Sequence, residues 1–564
     1  MSGAAGSAGA DAAPAGSAGE AGAAALAPAL VDDAFSMRQG ATLSIPAPGV
    51  LDNDTGSSLS VDLVDDSDPT RPAAYDAQAL SIDADGRLSF KPKPAFFGIY
   101  TVRYTVRDKD GLSATASVKI QVRPVAAELA TVRDGIGGFV IDGAAKDAIG
   151  AAVSSAGDVN HDGFDDILIG AAKAGDKAAG RAYVVYGKAK PSHVLLKVLP
   201  AKSTERAFFE LDGAEGDGAG NSVAAIGDLN DDKYADFAVA ASSSGPAGAT
   251  TGAVYVLFGG ALSGAMPLAM LPAARGIKLT GTSTVPIGEL ISRAGDVNGD
   301  GSPDLLVSAP LGNGHVYALL GSSTLKSGDL ASVPNLLQIE GGSINEHLPL
   351  SLDVVGKVNA DDADEVVLAS LSSVVVLLGT DSAYPSTTAT GFSSNGSVGG
   401  WRYVPALPGQ NTVVAGAGDV NGDPKHQADV LVCVTTSPAP NGVFECHVVL
   451  DGAPLDTGWS IAGFSELPRV AHGVDLSGDG YSDLLFGDAG TVYGVFGKKS
   501  GFTDVDVSAL GDAGFTLSSE AGQHVDSVVS LGDVNGDGVP DYAVGATGES
   551  NGAGSVYVVY GGKY

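Results

Sequence analysis

Short apolar runs of strand length recur along most of the chain and are separated by turns rich in Gly, Asp and Asn. In residues 100–106 and again in 118–122, every second residue is apolar. A two-residue period places one set of side chains on one face of a β-strand. From about residue 135 the strands become shorter and more continuously apolar, as in DLLVSA and GAVYVLFGG. The pattern predicts an all-β protein with almost no helix.

An acidic loop recurs seven times in the second part of the chain, each time between an apolar stretch and a short strand. The copies begin at residues 158, 228, 296, 357, 419, 475 and 533, at intervals of 56 to 70 residues. A Gly-containing turn and two further strands complete each unit, which gives four short antiparallel strands. Seven such units predict a seven-bladed β-propeller over residues 135–564.

The two ends of this repeat array are incomplete in a complementary way. The seventh unit stops after its third strand, and the segment GFVID at residues 138–142 precedes the first acidic loop without a unit of its own. Placed at the outer edge of the last blade, strand 138–142 would close the ring and leave no open gap.

The chain before the ring divides into three parts. Residues 1–30 are rich in Gly, Ala and Ser and are expected to form a flexible tether. Residues 31–124 contain the strands with clear alternation, at a spacing that suits a β-sandwich. Residues 125–134 are expected to be a linker.

Each acidic loop offers oxygen ligands at positions 1, 3, 5 and 9 and a backbone carbonyl at position 7, a set that suits Ca²⁺ better than Mg²⁺. A helix and a Glu at position 12, as in an EF-hand, are missing, because position 12 lies within a strand. Expected ligands in the five copies of normal spacing that begin with Asp are Asp158, Asn160, Asp162, Phe164 and Asp166; Asp228, Asn230, Asp232, Tyr234 and Asp236; Asp296, Asn298, Asp300, Ser302 and Asp304; Asp475, Ser477, Asp479, Tyr481 and Asp483; and Asp533, Asn535, Asp537, Val539 and Asp541.

Three copies depart from the consensus. The copy at 228 has Lys233 where Gly is usual and is still expected to bind. The copy at 419 has two extra residues before its last ligand, so its geometry is open. Its expected ligands are Asp419, Asn421, Asp423 and Asp429.

The copy at 357 begins with Lys357, and we expect no ion there. The ammonium group would instead lie among Asn359, Asp361 and Glu365. About five or six calcium ions are therefore expected in the whole chain. The alternative for any single copy is an Asx-rich turn without metal, which recurrence in a fixed register disfavours.

Charge and composition restrict the partners. With 66 acidic and 32 basic residues, the net charge is −34, which disfavours nucleic acid and anionic membrane surfaces. Apolar runs are too short for a transmembrane segment. Cys433 and Cys446 fall in predicted strands of one repeat, where a disulfide and two free thiols are both possible. No export signal is visible, although the N-terminus could serve as a lipid or surface tether.

The seven loops resemble FG-GAP repeats, those of the integrin α-subunit propeller. The segment GDVNGDGSPDLLVSAP from residue 295 is close to the family core D-x-N-x-D-G-x-x-D-L-x-V-G-A-P. Residues 31–124 resemble bacterial cadherin-like or Ig-like domains, with GVLDNDT and TVRYTVRDKDG as the matching segments. The resemblance implies a ring with cations in loops on one face and partner recognition on the opposite face.

We therefore expect a calcium-binding extracellular or cell-surface adhesion or scaffold protein that recognises a protein or glycan partner. Weak sites without a bidentate Glu, with Kd of about 10⁻⁴–10⁻³ M, would fill outside cells. A lectin-like, carbohydrate-binding propeller is the first alternative, and a polysaccharide-degrading enzyme is the second. The motif HExxH does not occur, and we expect no enzyme, no catalytic residue and no organic cofactor.

Overall fold

The computed structural model describes residues 27–65, 79–94, 96–189, 192–196, 207–245, 250–310, 314–330, 333, 336–340, 351–359, 361–370, 373–379, 387–388, 400–403, 412–422, 427–435, 443–450, 458–519, 523–548 and 552–562. Most of the expected N-terminal tether, residues 1–26, lies outside this range, as does Asp423 of the fifth loop. The described chain is almost entirely β-structure, so the predicted all-β class is confirmed.

The N-terminal region folds as two facing sheets. The four-stranded sheet runs in the order Asp33–Arg38, Ser113–Arg123, Gly98–Arg107 and Ser60–Asp65, with its first pair parallel. The three-stranded sheet runs in the order Leu43–Ile45, Leu88–Lys91 and Ala79–Ile82. The alternation in residues 100–106 is confirmed, because the strand Gly98–Arg107 buries every second residue.

Seven further sheets follow within the described residues, and each begins at the strand before an acidic loop. The strands of each sheet are given from the innermost outwards. Sheet 1 consists of Ala152–Gly157, Asp166–Ala171, Arg181–Val185, Phe208–Asp212 and Ala265–Pro267, and sheet 2 consists of Val223–Gly227, Asp236–Ala241, Ala253–Leu257, Gly276–Thr280 and Gly328–Asp329. Sheet 3 consists of Ile291–Gly295, Asp304–Ala309, His315–Leu319, Leu336–Glu340 and Thr387–Thr388. Sheets 4 and 5 consist of Ser351–Gly356, Glu365–Ala369, Val374–Leu377 and Gly400–Tyr403; and Thr412–Gly418, Asp429–Thr435, Phe444–Val449, Trp459–Phe464 and Val505–Asp506. Sheets 6 and 7 consist of Arg469–Val470, Leu484–Asp488, Thr491–Val495, Gly514–Ser518 and Ala126–Glu128; and Ser527–Ser530, Tyr542–Ala546, Ser555–Val559, Gly138–Asp142 and Val194–Leu195.

The seven sheets are arranged in a closed ring. Each innermost strand contacts the innermost strand of the next sheet, and Ser527–Ser530 of sheet 7 contacts Ala152–Gly157 of sheet 1. All seven innermost strands line one axial channel of about 430 Å³. Apolar side chains of neighbouring sheets pack between the faces, as in the cluster that joins sheets 2 and 3.

The ring is closed by strand Gly138–Asp142, which pairs antiparallel with Ser555–Val559 near the C-terminus. Arg133 fastens this junction, since its guanidinium lies 2.9 Å from Asp142 Oδ2 and donates to the Tyr557 hydroxyl at 2.9 Å. Side chains from both ends of the ring therefore hold the two terminal segments together, in addition to the backbone ladder.

The outermost strand in six sheets is a short parallel strand supplied by the connection that leads to the fourth strand of the next sheet. Residues 265–267 of the second unit, for example, pair with Phe208–Asp212 of sheet 1. The segment 125–134, expected as a linker, contributes in the same way: Ala126–Glu128 pairs with sheet 6 and is followed by the α-helix Leu129–Arg133. The described 3₁₀ turns are Gly49–Leu51, Asp176–Ala178, Leu268–Met270, Val507–Ala509 and Gly511–Ala513.

The two cysteines lie directly opposite each other in neighbouring strands of sheet 5. Cys433 and Cys446 are a paired position in the antiparallel ladder, both are fully buried, and they form a disulfide. The structure thus answers the question that the sequence left open.

Candidate functional site

Each acidic loop begins where the innermost strand of its sheet is interrupted. In sheets 1 to 5 the ladder shifts register just before the loop, as between Arg293 and Gly295 in sheet 3. Gly295 has φ +68°, a conformation that side chains with a Cβ rarely adopt. This bulge turns the chain out of the sheet and presents the next residue, Asp296, as position 1 of the loop.

The position 1 carboxylate organises the loop around itself. Asp296 accepts the backbone N–H of Asp300 on Oδ1 at 3.0 Å and that of Gly301 on Oδ2 at 2.7 Å. The same two bonds, from positions 5 and 6 to position 1, occur in the loops at 158, 228, 475 and 533. Five loops thus curl back on their first residue, as a calcium loop does when it surrounds an ion.

The position 9 carboxylates lie beneath the loops and are almost fully buried. Asp304 accepts the N–H of Val297 at 2.9 Å and that of Gly321 at 2.8 Å. Burial raises the pKa of Asp304 to about 7, since desolvation disfavours the charged form. The same cause raises the pKa of Asp166 to about 8 and that of Asp236 to about 7. A buried carboxylate with a raised pKa is the kind of group that a cation would stabilise in its charged form.

The donor set therefore suits a hard cation, and one buried oxygen points to the same conclusion. Oδ2 of Asp537 is buried and has no hydrogen-bond partner in the described part of the chain. Charge repulsion from Asp533 also acts on Asp537, after burial, to raise its pKa. Within the described residues, however, no group of three or more His, Cys, Asp or Glu side chains has the arrangement of a metal-binding cluster. The loop oxygens are of the type that binds a hard cation such as Ca²⁺.

The loop at 357 differs from the sequence expectation. The hypothesis that the Lys357 ammonium lies among Asn359, Asp361 and Glu365 is wrong: Nζ lies 3.6 Å from Oδ1 of the exposed Asp362. The amide of Asn359 donates instead to Glu365 Oε1 at 2.7 Å. A neutral amide reaches this buried carboxylate at a lower desolvation cost than an ammonium group.

The loop at 419 keeps both ends of the pattern. Asp419 accepts the N–H of Gly422 at 2.6 Å, and Asp429 accepts the N–H of Val420 at 3.1 Å. Residues 423–426, which include the expected ligand Asp423, lie outside the described residues.

Neighbouring loops are hydrogen-bonded to one another, a feature that the sequence analysis missed. In five pairs the backbone N–H of the residue directly before the last carboxylate of a loop donates to the position 1 carbonyl of the preceding loop. These donors are Asp165, Ala235, Asp364, Ala428 and Ser482, and their acceptors are Asp533, Asp158, Asp296, Lys357 and Asp419. The side chains of Asp165 and Asp364 also accept the N–H of Asp533 and of Asp296. The loops therefore lie side by side on one face of the ring. The sequence signal for these bonds was the residue directly before the last carboxylate, which has the same place in every loop.

A second polar cluster lies in the axial channel. Asp353 of sheet 4 accepts the Gly416 N–H at 3.0 Å and lies 3.1 Å from His472 Nδ1 of sheet 6. Burial acts to raise the pKa of Asp353, but the charge and hydrogen bond of His472 and the charge of Arg293 outweigh it, so the pKa lies below its ordinary value. This cluster links four consecutive sheets.

A Ser, an Asp and a His also meet at the ring closure, but in an order that does not suit catalysis. The Ser555 hydroxyl and His193 Nε2 both bond to Asp142, at 2.6 and 2.8 Å. In a nucleophilic triad the histidine stands between serine and carboxylate so that it can take the hydroxyl proton. Here the carboxylate stands in the middle, and the three residues act as a structural junction.

Comparison with known families matches both parts of the chain. The family model of the bacterial Ig domain matches residues 26–121, and that of the FG-GAP repeat matches residues 150–185, 219–257, 292–319 and 526–559. The chain contains FG-GAP repeats behind a bacterial Ig domain. The matched repeats contribute to sheets 1, 2, 3 and 7, and sheets 4 to 6 have the same order of their first four strands. Both kinds of domain are typical of extracellular or surface proteins.

The curated relatives share only part of their length with this chain. The chain is 32% identical over 170 residues to phosphatidylinositol-glycan-specific phospholipase D of Bos taurus and 32% identical over 176 residues to that of Homo sapiens. Each match covers 29% of this chain and 19% of the relative.

A solved structure, of a nucleoside hydrolase-related hypothetical protein from Saccharophagus degradans that is associated with carbohydrate metabolism, aligns with a TM-score of 0.14. The aligned part is 18% identical and covers 17% of this chain and 26% of that chain. A likeness this slight carries no argument. No helix among the described residues is long and apolar enough to cross a membrane.

Proposed function

We propose that this protein is a calcium-stabilised adhesion or scaffold protein of the cell exterior, which recognises a protein or glycan partner through its ring of repeats. The observation that carries the proposal is the recurring loop, in which a position 1 carboxylate accepts two backbone N–H groups above a buried position 9 carboxylate. In the complete copies, the position 1, 3, 5 and 9 side chains and the position 7 carbonyl would hold calcium. The positive charge of the ion would balance the negative charges of the carboxylates.

Export is supported by two further observations. The repeats and the Ig domain are of types common outside cells, and Cys433 and Cys446 form a disulfide in sheet 5. Disulfides persist mainly in oxidising compartments. Weak calcium sites without a bidentate Glu fill at the millimolar calcium concentrations found outside cells.

A binding function without catalysis is favoured by the arrangement of the polar side chains. The His472 cluster in the channel and the Asp142 cluster at the ring closure are held by structural hydrogen bonds and ion pairs. The phospholipase activity in the names of the relatives belongs to proteins of which this chain matches about a fifth, so we do not assign it here.

Calcium stoichiometry and partner binding test the proposal together. Isothermal titration of the chelator-stripped chain is expected to show about five or six bound calcium ions. A pulldown from surface extracts is expected to retain a partner in calcium and to lose it in EGTA. A chain that binds no calcium, or that hydrolyses a glycan or a glycolipid in a product assay, contradicts the proposal.

A further inference from the structure

A cavity of about 460 Å³ lies where the Ig domain meets sheets 5 and 6 of the ring. Four parts of the molecule contribute to its wall: the end of the Ig strand Ser113–Arg123, the start of strand Trp459–Phe464, the acidic loop that begins at Asp475, and the connection after Thr491–Val495. The lining of the cavity includes Arg123, Trp459, Asp479, Lys498, Phe502 and Asp512. Its volume lies in the range of small-molecule sites.

Two aromatic rings form the apolar part of the wall. Trp459 and Phe502 stack with their centroids 5.1 Å apart and their planes 16° apart. Trp459 is 6% exposed, and its indole N–H is buried without a hydrogen-bond partner among the described residues. The stacked pair therefore gives the wall an aromatic surface on which an apolar face of a ligand can pack.

Charged groups of both signs surround the aromatic pair. Lys498 Nζ lies 5.5 Å from the Phe502 ring centroid, and Arg123 supplies a second cation. The carboxylates of Asp479 and Asp512 supply acceptors, and Asp512 is also paired with Arg38 of the Ig domain. Donors and acceptors on the wall of a partly apolar cavity suit a ligand with many hydroxyl groups, since each hydroxyl donates and accepts.

We propose that this cavity is a saccharide-binding site in which one sugar unit packs its apolar face on Phe502 and hydrogen-bonds to Lys498, Asp479 and Asp512. The inference rests on the proposed recognition function and gives it a place and a ligand class. A purely apolar ligand would desolvate the charged groups of the wall without offering them a hydrogen bond. A polyanion would meet two carboxylates and a chain of net charge −34.

The site is tied to one acidic loop. Ser477 and Asp479, which line the cavity, are positions 3 and 5 of the loop that begins at Asp475. The backbone N–H of Asp479 donates to Asp475 Oδ1 at 3.0 Å, so a change at Asp475 moves a residue of the cavity wall. Binding of a sugar is therefore expected to depend on this loop more than on the distant loop at Asp296.

Lys498 and Lys499 provide a matched pair of variants, since both are exposed and only Lys498 lines the cavity. The full-length chain in millimolar calcium is applied to an array of immobilised mono- to tetrasaccharides. We expect at least one saccharide to bind, Lys498→Ala to weaken it about fivefold, and Lys499→Ala to leave it unchanged. Phe502→Ala is expected to weaken it about tenfold or more. Asp475→Asn is expected to weaken it more than Asp296→Asn.

A second readout does not depend on the array. The chain has two tryptophans, so Trp401→Phe leaves Trp459 as the fluorescence reporter of the cavity. Titration of this variant with the saccharide that binds is expected to change its emission, and the change is expected to be lost in Lys498→Ala.

The outcomes separate the site from the function. Saccharide binding that is the same as in the wild type in both Lys498→Ala and Phe502→Ala overturns the site and leaves the recognition function intact. A chain that binds no saccharide but retains a protein in the calcium-dependent pulldown overturns the ligand class. The ligand class is also overturned if a peptide binds the wild-type chain and this binding is lost in Lys498→Ala. A chain that recognises neither saccharide nor surface protein overturns both proposals.

Discussion

The loops at Asp296 and Lys357 are neighbours in sequence and in space, and they reach similar backbone shapes by different interactions. Both follow a register shift in the innermost strand, and both cover a buried position 9 carboxylate, Asp304 or Glu365. At 296 a carboxylate accepts two N–H groups at the top of the loop, whereas at 357 the Asn359 amide satisfies Glu365 from within. We propose that the hairpin at 357 forms without an ion, whereas calcium adds stability to those copies that expose unbalanced carboxylates.

The largest effect expected from this difference is the response of the whole chain to chelation. At calcium tenfold above Kd, each filled site contributes about 1.4 kcal/mol, so five sites together contribute about 7 kcal/mol. We expect EGTA to lower the thermal midpoint measured by circular dichroism by several degrees, and calcium to restore it. Magnesium at the same concentration serves as the control. A midpoint that is the same in calcium and in EGTA would mean that all the loops behave like the one at 357.

The two position 9 carboxylates give the next largest effect. Asp304→Ala removes the acceptor of two buried N–H groups together with an ion ligand, and is expected to cost about 4 kcal/mol in calcium and about 3 kcal/mol in EGTA. Glu365→Ala is expected to cost about 2 kcal/mol in both. Urea unfolding under the two conditions measures these differences. Equal calcium dependence in the two variants would remove the distinction between the loops.

Much of the ring could be predicted from the sequence because its signals are local. The bulge, the acidic loop and the following strand occur within about twenty residues, and their repetition fixes the unit without knowledge of distant contacts. The strand 138–142 was recognisable for the same reason, since it resembles the fourth strands of complete units. In the Ig domain, the two-residue alternation identified the buried face of the strand Gly98–Arg107.

Three features that could not be predicted depend on contacts between units or domains. The bond from Asp364 to the preceding loop, the channel pair of Asp353 and His472, and the cavity at Trp459 each join residues more than 60 positions apart or from different domains. The side chain of Lys357 was misplaced because its residue type suggested an ion substitute, whereas the desolvation cost of burying an ammonium group favours the solvent-exposed partner Asp362.

A substitution at position 1 tests whether the loop at 357 lacks only its first ligand. Lys357→Asp supplies the missing carboxylate, and the loss of the exposed Lys357–Asp362 pair costs little. We expect one additional calcium ion by isothermal titration and a gain of about 1 kcal/mol in calcium over EGTA. Lys357→Ala is the matched control, because it removes the ammonium group without adding a ligand. The same ion count in both variants would show that Glu365 or Asp362 also prevents binding.

The smallest effect concerns the opposite end of the same two hairpins, where no ion is involved. Ser292, in the strand before the Asp296 loop, lies 3.5 Å from Asp353, in the strand before the Lys357 loop. Because the folded pKa of Asp353 lies below its ordinary value of 3.8, the ionised carboxylate stabilises the fold above that pH, and the contribution is lost as the pH falls through the lowered value. Asp353→Asn is therefore expected to cost about 1 kcal/mol near neutral pH and progressively less below pH 3.8. Urea midpoints of wild type and variant, measured in EGTA from neutral to acid pH, report the contribution of the Asp353 charge to stability without a contribution from calcium. A difference that stays constant across the range would mean that the hairpins are joined at the channel by packing and backbone bonds, with no contribution from the charge of Asp353.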